Sequence, residues 1–496
     1  MKKIKRIFAG ICAAAAVFSM VSAPVSAEII FKGYRGDLNN DGIVSAADAQ
    51  LLKNILIYGK NAPENADFNA DGTVDYNDLA ALKLYIFNGG ELSEIYEDIS
   101  LDFINPSVKQ TKASLPSQGD SKLVIFYIDF PDCTFSQKLS SEEIETIAFG
   151  EADENSPYYP FESMSAFYKR SSKGAMNLSG NVFSYTAKES ISVYNDDKVK
   201  LVEECYEAFK DSVDFSLYDS DSDGKIDATL ICVPESADSN YWWPCAGAFG
   251  DPEYSVDNVN VGHIITGYAV PSSHNDFNSS YLHEMGHCMG LPDYYLYSST
   301  DFDSMHGTAG YELMDADAYS DFGAFSKLML GWYRENQISV YDKSLGKQTY
   351  FLDEAQSENG NCVIIPYNNL DEEYLSEYFI IEYITGKDNN SGLSSRWQTT
   401  EDGIRIFHIN AEFQHDYWYS YFKYQNGSEY TNNDDEGIRL IRLVNDGNGV
   451  FTSGDVINNS TSGFGWYDDS ENESIDPGVS ITIGELSDGR YSITIE

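Results

Sequence analysis

YLHEMGHCMGLPDYY, residues 281–295, is the stretch on which the reading of this chain turns. It has the form H-E-x-x-H-x-x-G-x-x-D from His283 to Asp293. On a helix, His283 and His287 are one turn apart on one face. That is the spacing two imidazoles need to grip one zinc ion. Glu284 lies between them, placed to polarise a water. Gly290 can end the helix in a left-handed conformation, and Pro292 keeps the chain from continuing as helix. Asp293 then returns toward the metal as a candidate third ligand. Three protein ligands leave a coordination position open for water, which marks a catalytic rather than a structural zinc site.

Upstream, the apolar run LVIFYIDF (123–130) and the run ATLICV (228–233) read as buried strands. Helical patterns cover 163–168 and 201–209. Strands alternating with helices ahead of a metal-binding helix fit an α/β zincin-type layout. Ser279 or Ser280 is the expected cap of that helix. Just before the second strand stands DSDSDGKID, residues 219–227. Asp219, Asp221, Asp223, the Lys225 carbonyl and Asp227 occupy calcium-loop positions, but position 12 is Leu230. Two readings stay open here: a structural calcium site completed by a remote ligand, or an acidic turn. Downstream, YELM (311–314) places Met314 a short interval past the motif.

Together these segments resemble the immune inhibitor A family of secreted zinc metallopeptidases. The resemblance rests on FPD at 130–132, the acidic loop at 219–227, HEMGHCMGLPDYY at 283–295, YELM at 311–314 and FSKLMLGW at 325–332. It implies endopeptidase activity on a protein or peptide substrate. It also implies Zn2+ on His283, His287 and Asp293, with Glu284 as the base. Met314 resembles the packed Met-turn beneath the metal of metzincins. His263, His274, His306 and Tyr319 are candidate oxyanion donors, and the sequence does not choose among them.

The chain also carries an internal repeat offset by thirty residues. The first copy places Asp37, Asn39, Asp41, Ile43 (backbone carbonyl), Ser45 and Asp48 at calcium-loop positions. The second places Asp67, Asn69, Asp71, Thr73 (carbonyl), Asp75 and Asp78 there. Gly42 and Gly72 stand at the sharp turn. A helical pattern follows each loop, none precedes it, and position 12 is Asp rather than Glu. Loop then helix, twice, resembles a dockerin module of cellulosomal proteins. That resemblance implies two Ca2+ ions and a cohesin module of a scaffold protein as partner. Contacts would centre on loop positions 10 and 11 and the helix after them, with Ala46 and Ala47 at those positions in the first copy and Tyr76 and Asn77 in the second.

The first residues, MKKIKR followed by an apolar run and the small residues Val25, Ser26 and Ala27, read as a secretory signal peptide. A secreted, extracellular location follows. The formal net charge of −47 argues against nucleic acid and against anionic membrane as partners. Six cysteines remain after the leader, and their spacings define no disulfide framework. From 362 onward, apolar and alternating runs separated by Gly, Asn and Asp clusters predict a β-rich sandwich or sheet extension.

The expected order is therefore multidomain. A signal peptide spans 1–27 and a small α calcium-loop dockerin 28–93. A connector spans 94–120, an α/β zincin-type metallopeptidase domain 121–335, and a β-rich C-terminal domain 336–496. Two rival functions are a cellulosomal glycoside hydrolase, which needs paired carboxylates rather than zinc, and an inactive adaptor or binding protein.

Overall fold

The computed structural model describes residues 28–39, 43–58, 62–69, 73–88, 94–99, 114–248, 254–269, 274–295, 307–315, 319–370, 374–395, 401–415, 420–422, 439–445, 449–470 and 472–496. The expected signal peptide, Asp41, Asp71 and His306 lie outside them. No helix among the described residues is long and apolar enough to cross a membrane.

The N-terminal part runs β1 (Glu28–Tyr34), α1 (Ala46–Tyr58), α2 (Tyr76–Asn88) and β2 (Glu94–Ile99). Its core is small: Ala49 and Leu52 of α1 meet Leu79 and Leu82 of α2, with Ala66 between them. These pairs obey the thirty-residue offset, so the repeat in sequence is a repeat in packing. β1 and β2 pair antiparallel, Glu28 opposite Ile99 through Tyr34 opposite Glu94, and bring together the chain on either side of the helices.

The body begins with β3 (Gly119–Asp129), α3 (Ser141–Phe149), α4 (Met164–Ser171), β4 (Met176–Thr186), α5 (Lys198–Phe209) and β5 (Lys225–Pro234). It continues with α6 (Ser239–Trp242), β6 (Cys245–Ala248), β7 (Ser255–Val256), β8 (Val259–Ala269), α7 (His274–Cys288) and α8 (Ala324–Met329). One sheet has the order β4-β3-β5-β8-β6, with β7 also on β8. Its first four strands are parallel, and β6 pairs antiparallel to β8 at the edge. β3 shows why this arrangement suits an unbroken apolar run. Leu123, Ile125 and Tyr127 enter one core with α3, α4 and α7. Val124, Phe126 and Ile128 enter the other with α5. Local signals start the helices. Ser140 and Glu143 form a capping box before α3, and Ser163 caps α4.

The remaining strands are β9 (Ile338–Val340), β10 (Gln348–Leu352), β11 (Cys362–Pro366), β12 (Glu377–Ile384), β13 (Gly403–Asn410), β14 (Phe413–His415) and β15 (Ser420–Phe422). After them come β16 (Ile441–Leu443), β17 (Val456–Ile457), β18 (Trp466–Tyr467), β19 (Glu473–Ile475), β20 (Ile481–Ser487) and β21 (Arg490–Ile495). A five-stranded sheet β16-β13-β12-β11-β9 packs against a four-stranded sheet β10-β21-β20-β17. This is the expected sandwich. Its five-stranded sheet has a second allegiance: Ile364, Ile380, Phe407 and Ile409 belong to the same core as α7. One hydrophobic core thus continues from the α/β part into the β-rich part.

Two local expectations need correction. The metal-motif helix starts at His274, so Ser279 and Ser280 lie inside it rather than capping it. Tertiary packing extends it. Phe277 and Tyr281 are buried one turn apart, and Asn278 Nδ2 donates to the carbonyls of Ile147 (3.1 Å) and Phe161 (2.7 Å). Residues 114–118, at the end of the expected connector, are bonded into the body. The Ser114 and Leu115 amides donate to Cys288 O, and Trp332 Nε1 donates to Ser117 O at 2.7 Å.

Candidate metal centre

The core packing of α7 presents His283 and His287 on one face. Gly290 takes φ +100, as expected of a helix-ending glycine, and the chain turns back to bring in Asp293. The ligand atoms of His283, His287 and Asp293 lie within 4.8 Å of one another. Asp293 Oδ1 is 3.0 Å from His283 Nε2 and 3.2 Å from His287 Nε2.

Both histidines are oriented from behind by backbone. His283 Nδ1 is 2.8 Å from Leu313 O, and His287 Nδ1 is 2.8 Å from Leu291 O. A carbonyl only accepts, so each Nδ1 carries the proton and each Nε2 points into the cluster. Burial opposes charge on every member, yet their mutual attraction overcomes it. His283 rises to about 9, His287 also rises, and Asp293 falls well below the ordinary carboxylate range. Once a metal replaces the Nε2 protons, two imidazole Nε2 donors and one buried carboxylate are a donor set that suits zinc. Glu284 is buried on the same helix, and among the described residues its carboxylate takes no hydrogen bond.

The loop that supplies Leu313 O is fixed by side chains that the motif did not reveal. Met314 is fully buried, and a methyl group added at Gly286 would run into its sulfur. The Tyr294 amide donates to Met314 O at 2.8 Å. Glu312, also buried, accepts from the amides of Met314 (2.9 Å) and Gly323 (3.1 Å). Burial pushes its carboxyl up to about 7 against these bonds. Asp315 accepts from the amides of Thr308 and Gly310 and from the Thr308 hydroxyl. The carboxylates of Glu312 and Asp315, and Gly286 as the seat of Met314, are the supports that sequence reasoning missed. The one advance signal was Gly286, a small residue between two expected ligands.

Of the oxyanion candidates, His263 is buried on β8 with Nδ1 2.9 Å from Ser114 Oγ. His274 stacks on Tyr158 at 3.8 Å, and burial lowers its pKa. Tyr319 packs edge-on against Phe161.

In the N-terminal repeat, Asp48 and Asp78 are fully buried and pin their loops from within. Asp48 accepts from the amides of Leu38 (2.9 Å), Asn39 (3.2 Å) and Ser45 (2.8 Å). Asp78 accepts from Asn69 (3.1 Å) and Asp75 (2.7 Å). Asp37 and Asp67 sit at the loop entrances, Asp37 buried. Ile43 and Thr73, expected to ligate through backbone, have exposed side chains. Ala46, Ala47, Tyr76 and Asn77 are all exposed. In the acidic loop, carboxylates of Asp219, Asp221 and Asp227 converge within 4.8 Å. Asp223 and Lys225 instead pair with each other at 3.0 Å on the surface. The six described cysteines form no disulfide, and Cys288 is packed in the core.

No curated protein matches the chain. Among solved structures, wild-type OgpA from Akkermansia muciniphila aligns at 15% identity and a TM-score of 0.25, covering 64% of this chain and 94% of that one. A catalytically inactive OgpA in complex with an O-glycopeptide (glycodrosocin) substrate aligns at 12% identity and a TM-score of 0.23, covering 63% and 94%. At those scores the likeness carries no argument about this chain. Residues 35–87 match the family model of the dockerin type I domain, which supports calcium binding and cohesin-mediated anchoring by this segment.

Proposed function

We propose that the chain is a secreted zinc endopeptidase, anchored to a cellulosome scaffold by its N-terminal dockerin. The observation that carries the peptidase reading is the convergence of His283 Nε2, His287 Nε2 and the Asp293 carboxylate, with Glu284 beside them on α7. His283, His287 and Asp293 would hold the metal. Bound zinc would supply Lewis acidity, polarising a substrate carbonyl and acidifying a water. Glu284, buried and free of hydrogen bonds, accepts a proton from water at its carboxylate and delivers it to the leaving amine. β6, the edge strand of its sheet among the described residues and beside α7, would offer its outer backbone groups to an extended peptide.

The dockerin calcium ions would be held by Asp37, Asn39, Asp41, Ile43 O, Ser45 and Asp48, and by Asp67, Asn69, Asp71, Thr73 O, Asp75 and Asp78. A third, structural calcium would take Asp219, Asp221 and Asp227. The proposed domain borders are those read from the sequence, save that residues 114–118 of the expected connector are bonded to the peptidase domain, whose core is shared with the five-stranded sheet.

The test is Glu284→Ala. The variant is expected to keep zinc and lose casein cleavage, and normal cleavage by it would refute the assigned role. EDTA-sensitive casein cleavage without action on polysaccharides separates this reading from a glycoside hydrolase. Zinc content near zero in purified protein would favour an adaptor.

A further inference from the structure

The chain between β12 and β13 carries a short 3-10 helix, Asp388–Ser395, that docks against the α/β body. Two adjacent asparagines, both buried, make much of the contact. Asn389 Oδ1 accepts from Arg170 Nε on α4 at 2.8 Å. Its Nδ2 lies 3.0 Å from Phe167 O and 3.0 Å from Asp321 Oδ1. Asn390 Oδ1 accepts from the Asp321 amide at 2.8 Å. The approach is close, since a methyl group added at Gly392 would stand 2.5 Å from Tyr319 O and 2.8 Å from the Phe161 ring. Buried polar groups are costly unless each is paired, so the segment cannot slide without leaving several of them orphaned.

Asp321 passes that constraint on. Its carboxylate is held by Asn389 and by Lys327 Nζ at 2.6 Å, and its amide by Asn390. Its carbonyl accepts from the Leu313 amide at 3.2 Å. The Leu313 carbonyl in turn accepts from His283 Nδ1 at 2.8 Å. Three hydrogen bonds therefore lead from Asn390 to His283, with only Asp321 and Leu313 between them.

We propose that Asn390 is a positioning residue for the metal centre, so that the β-rich part belongs to the peptidase site rather than to a separate module. The inference rests on the zinc reading given above. Asn390 acts through Asp321 and Leu313. Truncating it leaves the buried Asp321 N–H without an acceptor. The 313–321 loop then relaxes, and the Leu313 carbonyl that aims His283 moves with it. A metal-binding imidazole that loses the partner of its other ring nitrogen holds the ion less tightly and in a changed orientation.

The experiment compares the full chain with Asn390→Ala and with Ile493→Ala, a control in the core between the two sheets of the β-rich part. Asn390→Ala is expected to lower kcat on casein about tenfold with KM within about threefold, and to weaken zinc affinity about tenfold. Cobalt(II) loaded in place of zinc reads the ligand geometry directly, and its visible absorption bands should shift. Ile493→Ala should lower the melting temperature at least as much while leaving kcat, zinc affinity and the cobalt spectrum unchanged. Near-UV circular dichroism checks folding, and Asn390→Ser, whose hydroxyl is too short to reach the Asp321 amide, replaces the alanine variant if that one does not fold. A variant at 390 that changes only the melting temperature overturns the proposal, because Asn390 is then a structural contact alone. So does a loss of kcat with zinc affinity and cobalt spectrum unaltered, because the effect then bypasses His283. If the unaltered chain binds neither zinc nor cobalt, the metal reading itself fails and the inference falls with it. If it binds zinc without cleaving casein, the peptidase reading fails, and affinity and spectrum still decide the role of Asn390.

Discussion

The dockerin loops and the His-His-Asp cluster, on the function proposed above, would hold ions by opposite means. Each loop takes its oxygens from twelve consecutive residues, over a core of Ala49, Leu52, Ala66, Leu79 and Leu82. The cluster takes three ligands from a short stretch too, but its geometry is set from elsewhere. Leu313 O orients His283, Met314 packs beneath Gly286, and Glu312 holds the loop that carries both. In the first design the ion completes a fold too small to stand alone. In the second a large core sets the ligand geometry before any ion arrives.

Chelation is the most direct way to break that contrast. Five buried side chains supply little stability for a domain of this length, so metal binding and folding are expected to be one event. Excess EGTA should abolish the helicity of α1 and α2 while leaving the near-UV spectrum and main thermal transition of the body nearly unchanged. Circular dichroism on the full chain reads both. A dockerin that stays helical in EGTA would mean that its core suffices, and the contrast would fail.

The body also holds buried carboxylates together with no metal ligand set at all. His408 lies fully buried on β13, with Nε2 2.9 Å from Glu377 Oε1 and Nδ1 2.9 Å from Glu473 Oε1. Arg442 Nη1 donates to the other Glu473 oxygen at 2.8 Å. Burial disfavours the imidazolium, but its two carboxylate partners raise the His408 pKa above its ordinary 6.5. Burial likewise works against Glu473 charge, yet His408 and Arg442 draw that carboxyl below its ordinary 4.5. The signs follow by linkage. The His408 contribution is complete below 6.5 and is lost as pH rises through its folded pKa. The Glu473 contribution is complete above 4.5 and is lost as pH falls through its folded pKa. His408→Ala leaves buried carboxylates uncompensated and is expected to cost about 3–5 kcal/mol. The loss should be largest between the two ordinary values, and denaturant melts across that range measure it. A pH-independent loss would mean that the histidine is neutral and serves only as packing.

Sequence reading reached the parts of these designs that are local. The i, i+4 histidines, Gly290 at the helix end and both calcium loops depend on spacing alone. So did the buried strands around 123–130 and 228–233, because a parallel strand covered on both faces has to be apolar throughout. The supports stayed hidden for a physical reason. Leu313 and Leu291 act through backbone carbonyls, which leave no side-chain signature. Glu312 and Asp315 bind amides brought near by folding. The start of α7 was misread because Ser279 looked like a cap, whereas Phe277 and Asn278 had packing partners in α3 and before α4. His408 stayed hidden for the same reason, because its carboxylate partners lie on strands distant in sequence.

Gly286→Ala tests whether the fold sets the metal geometry. The added methyl group must displace Met314, and with it the neighbouring Leu313 carbonyl that orients His283. Overpacking of this kind costs about 1–3 kcal/mol. Casein cleavage should fall by more than the stability loss explains, since the folded fraction stays near one while His283 loses its aim. Thermal melts paired with turnover on the intact fraction separate the two effects. Full activity at a lowered melting temperature would show that Leu313 does not govern the site.

The acidic loop at 219–227 lies between the two designs, and it predicts the smallest effect. Its carboxylates are contiguous, as in the dockerin. Yet Asp227 is fully buried at the start of β5 and already accepts from the Lys122 amide at 2.7 Å and the Ser220 amide at 3.0 Å. A calcium ion there would join a loop the body has already anchored, so the fold should not depend on it. With the dockerin loops disabled by Asp48→Ala and Asp78→Ala, calcium at about 100 times its dissociation constant should stabilise the body by no more than about 2.7 kcal/mol. Asp219→Ala should remove that increment and leave the calcium-free melting temperature almost unchanged. Because Asp223 is paired with Lys225, Asp223→Ala should leave most of the increment in place. If calcium removal instead unfolds the body, the loop belongs with the dockerin design, and the division between ion-completed and self-sufficient folding does not follow the domain border.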